Sequence, residues 1–175
     1  MLPILAGALL IIASLLVLFV LVVGIVFIFD LFLELPYVGT RRSRIKTIME
    51  LANIRDGETL VDLGSGDGRL LIEAAKRGAH AIGYEINPFL IFVTIIHSKL
   101  RGLRESVKVY QASLWKADLA VADIVLVYAM RKSMAKFENL IYKNCKKGTR
   151  IVVNTNPFPS KKPQKEENGV FLYIV

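Results

Sequence analysis

The first thirty residues constrain the fold of this chain more than any other stretch. From Leu2 to Phe29 no side chain is charged, and Ser14 is the only polar one. A helix crosses the hydrocarbon core of a bilayer with about 20 apolar residues. We therefore predict a membrane-spanning anchor over residues 1–30, followed by a domain over residues 31–175. A cleaved signal peptide fits less well, because no basic residue precedes the apolar run and the run is too long.

The charges on the two sides of the apolar stretch differ. No Lys or Arg precedes it, and four basic residues follow it within the next turns: Arg41, Arg42, Arg44 and Lys46. Positively charged flanks stay on the cytoplasmic side of a membrane. We therefore expect a single-pass membrane protein with a short N-terminus outside and its domain in the cytoplasm.

The overall charge and the cysteine content narrow the choice of partners. The net charge is +8, but the basic residues do not alternate with aromatic ones. Attraction to the anionic headgroups of a lipid bilayer explains this charge more simply than nucleic acid does. Cys145 is alone, which excludes an intrachain disulfide. No C-x-x-C or H-x-x-x-H spacing occurs, so no metal site is predicted.

Beyond the apolar stretch, segments with helical spacing alternate with short apolar runs. We predict helices over 69–78, 88–103 and 131–145, and an earlier one that Thr40 caps and Gly57 ends. Gly78 should end the helix over 69–78, and Pro159–Gly169 is predicted to be a polar loop. The predicted strands are Thr59–Leu63, Ala81–Ile86, Ser106–Ala112, Asp123–Met130, Thr149–Thr155 and Gly169–Val175. This alternation predicts an α/β domain with a mostly parallel sheet between two layers of helices.

The sequence VDLGSGDGRL (Val61–Leu70) lies at the first strand-to-helix turn. Its glycines let a ligand lie against bare backbone, next to the amides that begin the following helix. Glu85 lies at the end of the second predicted strand, one residue before its last, and 21 residues after Gly64. An acid at about that distance can accept hydrogen bonds from both hydroxyls of a ribose. The pattern therefore predicts a cofactor that contains a nucleoside.

The spacing of the glycines and two nearby acids indicate which nucleoside. A dinucleotide site needs a glycine at the position of Arg69, whereas here the glycine comes one residue earlier, at Gly68. Asp62 and Asp67 would repel a pyrophosphate. They suit a cofactor with an ammonium group and a sulfonium, which is S-adenosylmethionine (SAM).

These motifs resemble a known superfamily. VDLGSGDG and GYEIN are similar to the first two motifs of the class I SAM-dependent methyltransferases. LPYVGT, SLWK and NPFP occur in the order seen in a small family of membrane-anchored protein lysine methyltransferases. The mitochondrial members of that family modify the ATP synthase c subunit and the adenine nucleotide translocase. The resemblance implies a Rossmann-like three-layer fold, SAM as cofactor and a protein lysine as substrate.

The resemblance also implies roles for individual residues. The methionine part of the cofactor would be held by the first motif and the segment before it: Tyr37, Val38, Thr40, Asp62, Gly64, Ser65, Gly66, Asp67 and Gly68. The ribose and adenine would be held by Glu85, Ile86, Asn87, Ser113, Leu114 and Trp115. Ser113 stands where the family has an acid, and a hydroxyl accepts a hydrogen bond from the adenine amine more weakly than a carboxylate does.

The residues leave the substrate open. Tyr128, Ala129 and Met130 replace the acid or Asn, Pro-Pro and aromatic residue that base methyltransferases carry after the fourth strand, which disfavours methylation of nucleic acid. Candidates for contacting the amine are Tyr37, Tyr128 and Asn156, and no catalytic residue is predicted. The favoured substrate is a membrane protein with a lysine near the cytoplasmic headgroups. The alternatives are a lipid or quinone substrate, or a non-catalytic module that binds SAM.

Overall fold

The computed structural model describes residues 2–32 and 39–175. The chain divides into two compact units, residues 1–37 and 38–175. The first contains one long helix, and Ala6–Ile25 within it is a candidate membrane span with a mean hydropathy of 3.2 and no buried residues. Its length and composition suit a membrane anchor and a signal sequence equally. The anchor boundary at residue 30 stays a prediction.

The second unit alternates helices and strands, as the apolar pattern predicts. The helices of the chain are α1 (Leu2–Phe32), α2 (Arg42–Ala52), α3 (Arg69–Ala75), α4 (Pro88–Leu100) and α5 (Met134–Asn144). The strands are β1 (Thr59–Leu63), β2 (His80–Glu85), β3 (Val107–Gln111), β4 (Ile124–Tyr128), β5 (Arg150–Asn154), β6 (Lys165–Glu167) and β7 (Val170–Ile174).

The seven strands found among the described residues form one sheet in the order β3-β2-β1-β4-β5-β7-β6. The first five of these strands run parallel to one another, and β7 is antiparallel to both of its neighbours. The mostly parallel sheet is therefore confirmed. Parallel pairing brings the carboxyl ends of β1, β2, β4 and β5 to the same edge, which is where open α/β sheets bind ligands.

Helices cover both faces of the sheet and make three layers. On one face, Ile48 of α2 and Leu71 of α3 belong to the same buried cluster as Leu126 of β4. On the other face, Tyr173 pairs with Ile151 in the β5–β7 ladder. The ring of Tyr173 lies 4.7 Å from that of Phe158, which lies 6.3 Å from the ring of Tyr142 on α5.

Both predicted ends of the helix before β1 are wrong. Arg41, not Thr40, is the N-cap residue, and it makes no side-chain capping bond. The amides of Arg44 and Ile45 donate instead to the Arg41 carbonyl. The helix ends at Ala52 rather than at Gly57, because the next residue, Asn53, has a left-handed conformation with φ of 44°.

The turn after α3 follows the prediction. Gly78 has a φ of 88°, and its amide donates to the Ala75 carbonyl at 3.0 Å. The amide of Ala79 donates to the Ala74 carbonyl at 3.2 Å. This pair of bonds is the Schellman arrangement, which ends helices with a glycine.

The segment predicted as a polar loop, Pro159–Gly169, contains the short strand β6. Asn168 and Gly169 have φ of 51° and 68° and join β6 to β7. A two-residue Asn-Gly turn with both φ positive matches the twist of a β-hairpin. β6 is an edge strand of three charged residues, so it has no alternating apolar pattern.

Candidate active site

The loop between β1 and α3 folds back through three glycines. Gly64, Gly66 and Gly68 have φ of 91°, 56° and 74°, conformations that glycine adopts without steric cost. A Cβ on Gly68 would lie 2.4 Å from Cγ2 of Thr94 on α4. The Thr94 hydroxyl donates to the Gly66 carbonyl at 3.2 Å. The loop is therefore packed against α4 and has no room for a side chain at residue 68.

Glu85 ties this loop to the turn after β2. Its carboxylate is buried at the carboxyl end of β2. Oε2 accepts from the Gly66 amide at 2.9 Å, and Oε1 accepts from the amides of Ile86 and Asn87 at 2.8 and 2.9 Å. A carboxylate can accept about four hydrogen bonds, so Oε2 keeps capacity for another donor.

Asn87 begins α4. Its side-chain oxygen accepts from the amides of Phe89 and Leu90 at 2.9 and 3.4 Å, and Pro88 occupies the first helical position. Both features are typical of a helix N-terminus. Ile86, just before this cap, is exposed beside the buried Glu85. The structure therefore brings together three of the residues predicted to hold the ribose and adenine.

Asp62 supplies a second buried carboxylate, on β1. Its side chain accepts no hydrogen bond within the described part of the chain. Burial and, after it, the nearby negative charges of Glu85 and Asp67 raise the pKa of Asp62 to about 7. A buried carboxylate without a partner is costly to charge. A ligand cation beside Asp62 would therefore be strongly favoured.

Arg69 links the glycine loop to the segment before α2. Its guanidinium donates to both carboxylate oxygens of Asp67, with Nε to Oδ1 at 2.9 Å and Nη2 to Oδ2 at 2.6 Å. Its Nη1 donates to the carbonyl of the buried Thr40 at 2.9 Å. The sequence marks Arg69 only as the position where a dinucleotide site would need a glycine. Nothing in the neighbouring sequence indicates a partner 29 residues earlier in the chain.

Ser65 carries an unsatisfied hydroxyl. Its Oγ is buried and has no hydrogen-bond partner within the described residues. Buried polar atoms without a partner are rare in folded proteins and call for an explanation. This hydroxyl lies in the same loop as Gly64 and Gly66 and is available to a bound ligand.

The three residues after β3 that are predicted to contact the adenine lie in different surroundings. Leu114 lies at the glycine loop, since its Cδ2 is 3.7 Å from the position that a Cβ on Gly64 would take. The ring of Trp115 stacks 4.6 Å from that of Phe137 on α5, and Lys136 Nζ lies 3.8 Å from the Trp115 ring centroid. Ser113 is partly exposed and makes no capping bond to the turn that follows it.

The carboxyl ends of β4 and β5 form the other half of this edge. Tyr128 ends β4 and is partly exposed. The Asn156 side chain donates to the Ala129 carbonyl at 2.8 Å, which joins the segments that follow the two strands. These groups are a phenol, an amide and a carbonyl, and none of them is charged at neutral pH.

Two residues that sequence reasoning missed hold the end of β5. Thr155 has a φ of 76°, which is unusual for a β-branched residue. Its amide donates to the Gly169 carbonyl at 2.8 Å. Arg44 on α2 donates to the side chain of Asn154 at 2.9 Å and also to the Thr155 hydroxyl. Tyr37 and Val38, predicted to contact the cofactor, lie outside the described residues.

The strand order, the antiparallel β7, and a glycine loop facing an acid at the end of β2 define a class I SAM-dependent methyltransferase. The chain belongs to the ANTKMT methyltransferase domain family, whose model matches residues 62–165.

The most informative relatives are lysine methyltransferases. The chain is 33% identical over 129 residues to the lysine N-methyltransferase of the ATP synthase c subunit from Homo sapiens, a match that covers 74% of this chain and 55% of the human protein. It is 26% identical over 152 residues to a protein-lysine N-methyltransferase of Saccharolobus islandicus, covering 81% and 94%. The chain thus spans about half the length of the human relative.

A solved structure supports the fold and the cofactor. The RNA methyltransferase of Salinibacter ruber in complex with S-adenosyl-L-homocysteine superposes with a TM-score of 0.75 at 28% identity, covering 78% of this chain and 93% of that one. The unsatisfied Ser65 hydroxyl, the Asp62 carboxylate and the free acceptor on Glu85 fit a ligand with an ammonium group and ribose hydroxyls.

Proposed function

We propose that this chain is a membrane-anchored, SAM-dependent protein-lysine N-methyltransferase that acts on a membrane protein. The observation that carries the proposal is the glycine loop bonded to Glu85, an arrangement suited to SAM, in a chain 33% identical to a lysine methyltransferase. The name of the human relative gives the substrate class, and the long apolar helix supports the anchor.

Different residues around the glycine loop would hold different parts of SAM. Asp62 and the Ser65 hydroxyl would meet the ammonium end, because one is a buried anion and the other an unsatisfied polar atom. Glu85 would accept from the ribose hydroxyls, and Ile86 and Leu114 would flank the adenine. The remaining members of the predicted set are Tyr37, Val38, Thr40, Gly64, Gly66, Asp67, Gly68, Asn87, Ser113 and Trp115.

When bound, SAM supplies an electrophilic methyl group on a sulfonium. The chain would then act mainly by positioning the target amine in line with that group and excluding water. The carboxyl ends of β4 and β5 present the neutral side chains of Tyr128 and Asn156. A neutral amine is needed for attack, and its pKa falls when it is brought near a cation in a dry site.

The anchor restricts which lysines the domain can reach. Nine peptide steps separate Phe32, the end of α1, from Arg41, and an extended chain spans at most about 3.6 Å per residue. A short tether raises the effective concentration of targets in the same membrane. We therefore infer that the target lysine lies near the cytoplasmic headgroups of the bilayer.

Mass spectrometry of modified lysines tests this function. The full chain and its Glu85→Gln variant are each incubated with isotopically labelled SAM and membranes from cells that lack the chain. We expect the label on a lysine of a membrane protein with the unaltered chain and little label with the variant. Label found only in the lipid extract would instead support a lipid or quinone substrate. Cofactor binding without any transfer would support a non-catalytic module.

RNA requires a separate arm of that experiment, because the Salinibacter ruber neighbour is described as an RNA methyltransferase. Tyr128, Ala129 and Met130 lack the pattern that base methyltransferases carry after this strand. We therefore expect no label in total RNA under the conditions that label protein. Label in RNA alone would overturn the lysine proposal.

A further inference from the structure

Helix α4 buries two polar side chains and exposes several large apolar ones. Thr94 and Ser98 are the buried residues of this helix, at 0% and 3% exposure. Phe92 is 59% exposed and Leu100 is 77% exposed. Surface helices of globular domains normally bury the apolar stripe and expose the polar one. The outer face of α4 is therefore suited to an apolar surrounding rather than to water.

The exposed apolar residues of α4 form a continuous stripe. Phe89, Phe92, Ile96 and Leu100 follow one another at steps of three and four residues, so they project from the same side of the helix. By contrast, α5 buries Phe137 and Ile141 against the sheet. Contiguous apolar patches of this kind on a folded domain mark interaction surfaces.

Basic residues border this stripe at its C-terminal end. Lys99, Arg101 and Arg104 are all exposed, and none forms an ion pair with another described residue. α4 itself contains no acidic residue. An apolar stripe with a cationic border matches a bilayer surface, where acyl chains lie beneath anionic headgroups.

The neighbouring strand extends the apolar surface. An open groove runs between α4 and β3, with Ile95 and Val109 along it and Arg104 at its rim. Lys99 lies close to the stripe, and its long aliphatic stem allows its ammonium group to reach headgroup level while the stem stays among apolar groups.

We propose that the outer face of α4 docks in the interface of an anionic lipid bilayer. Phe92, Ile96 and Leu100 enter the acyl boundary, and Arg101 and Arg104 contact lipid phosphates. This inference rests on the proposed membrane anchoring and adds a second membrane contact, made by the methyltransferase domain itself. Because α4 begins at Pro88, three residues after Glu85, docking would also hold the candidate active site close to the headgroups.

A second copy of the chain is a poorer occupant of this face. In a symmetric dimer the same patch meets itself. Lys99, Arg101 and Arg104 border the patch, so the contact would bring like charges together without acids on α4 to neutralise them.

Spin-label accessibility in the full chain tests the proposal. Cys145 is first replaced by Ser, and the chain is reconstituted in nanodiscs that contain phosphatidylcholine and phosphatidylglycerol. A nitroxide is placed on Phe92→Cys and, as a matched control, on Ala135→Cys, an exposed site on α5 among lysines. We expect the label at residue 92 to collide more with oxygen than with a nickel chelate, and the label at 135 to show the reverse. Equal nickel accessibility at the two sites would overturn the proposal.

A third label separates this proposal from the anchor. A nitroxide on Leu16→Cys lies within the candidate span. If the label at residue 16 is accessible to oxygen and the label at residue 92 is accessible to nickel, the anchor is supported and docking by α4 is refuted. Nickel accessibility at both would refute the anchor and the docking together. If spin–spin broadening at residue 92 disappears on dilution with unlabelled chain, a second copy covers this face and the proposal is wrong.

The charge requirement is tested in the same system. Each basic residue near an anionic surface contributes about a fivefold factor in binding, so Arg101→Gln with Arg104→Gln should shift docking by on the order of tenfold or more. We expect greater nickel accessibility at residue 92 in this variant, and also in pure phosphatidylcholine. No change in either condition would contradict the proposed phosphate contacts.

Discussion

The two halves of the ligand-binding edge are built in different ways. At the ends of β1 and β2, Glu85 accepts from the amide of Gly66 and from the amides of Ile86 and Asn87, and Asp62 adds a second buried carboxylate. At the ends of β4 and β5, the groups described above include no acid. The chain there is held by the bond from Asn156 to the Ala129 carbonyl, by the bonds from Arg44 to Asn154 and Thr155, and by the left-handed conformation of Thr155. The first half carries buried acids, whereas the second presents no acid and is bonded to the guanidinium of Arg44.

This difference fits the methyl transfer to an amine proposed above. A cationic cofactor needs anions and a rigid cradle, which the first half provides. An amine that must be neutral when it attacks needs positioning rather than a strong base. Variants in the first half should therefore change folding and cofactor affinity, and variants in the second should change turnover alone.

The largest effect is expected from Gly68→Ala. The left-handed φ costs about 1–2 kcal/mol for an alanine, and displacing Thr94 adds about 1–3 kcal/mol. Chemical denaturation should show a loss of about 2–5 kcal/mol in unfolding free energy. Gly148→Ala is the control, because Gly148 has a φ of 87° but open space around it, so only the strain should appear. Equal losses in the two variants would show that the loop is not packed against α4.

Glu85→Gln should weaken cofactor binding next. Hydrogen bonds to a charged group contribute about 1.5–3 kcal/mol, so the affinity for S-adenosylhomocysteine should fall roughly 10- to 100-fold. Titration calorimetry measures this directly. Glu73→Gln on α3 removes an acid paired with Lys76 and Arg77 and should leave the affinity unchanged. An unchanged affinity in Glu85→Gln would remove the distinction between the two halves.

The pKa of Asp62, raised to about 7, predicts a pH dependence. The folded domain binds this proton more tightly than the unfolded chain, so without cofactor its unfolding free energy should rise by about 2 kcal/mol between pH 8 and pH 5. That gain is lost as the pH rises through 7.

Cofactor affinity should move the opposite way, because the ammonium needs the charged form of Asp62. We expect a decrease of about tenfold between pH 8 and pH 6. Asp62→Asn should flatten both profiles and increase stability at pH 8 in the absence of cofactor. A variant that keeps the original pH profile would assign the titration to another group.

The smallest effect is expected from Asn156→Ala. Loss of its hydrogen bond to the Ala129 carbonyl removes about 0.5–1.5 kcal/mol of the interaction that positions the segments after β4 and β5. The methyl-transfer rate should therefore fall by less than about tenfold. The dissociation constant for the cofactor should stay the same. Asn144→Ala loses a similar but exposed bond to the Leu140 carbonyl on α5 and should not alter the rate. A change in cofactor binding in Asn156→Ala would mean that the halves are not independent.

Sequence reasoning succeeded where the signal is local. The apolar run TLVDL predicts β1 with the bounds observed, because a strand buried on both faces reads as a continuous apolar segment. The run AIGYEI places Glu85 at the end of β2, where the structure has it. The hairpin at Asn168 and Gly169 was missed although its turn signal is present, since the three residues of β6 are all charged.

The remaining features depend on contacts between distant segments. Nothing near Arg69 in the sequence indicates that it reaches Thr40, and nothing near Arg44 indicates Asn154. The apolar composition of α4 predicts a helix, but only the fold shows that Thr94 and Ser98 face inward. The sequence pattern of α4 alone would suggest an ordinary core helix.

The N-terminal turn of α2 lies between the two halves and has a consequence for how their ligands bind. Arg69 connects the glycine loop to Thr40, and Arg44, one turn later, connects α2 to Asn154 and Thr155. A movement of the glycine loop on cofactor binding would therefore displace the end of β5 through α2. By thermodynamic linkage, any gain in substrate affinity caused by the cofactor must be matched by an equal gain in cofactor affinity caused by the substrate.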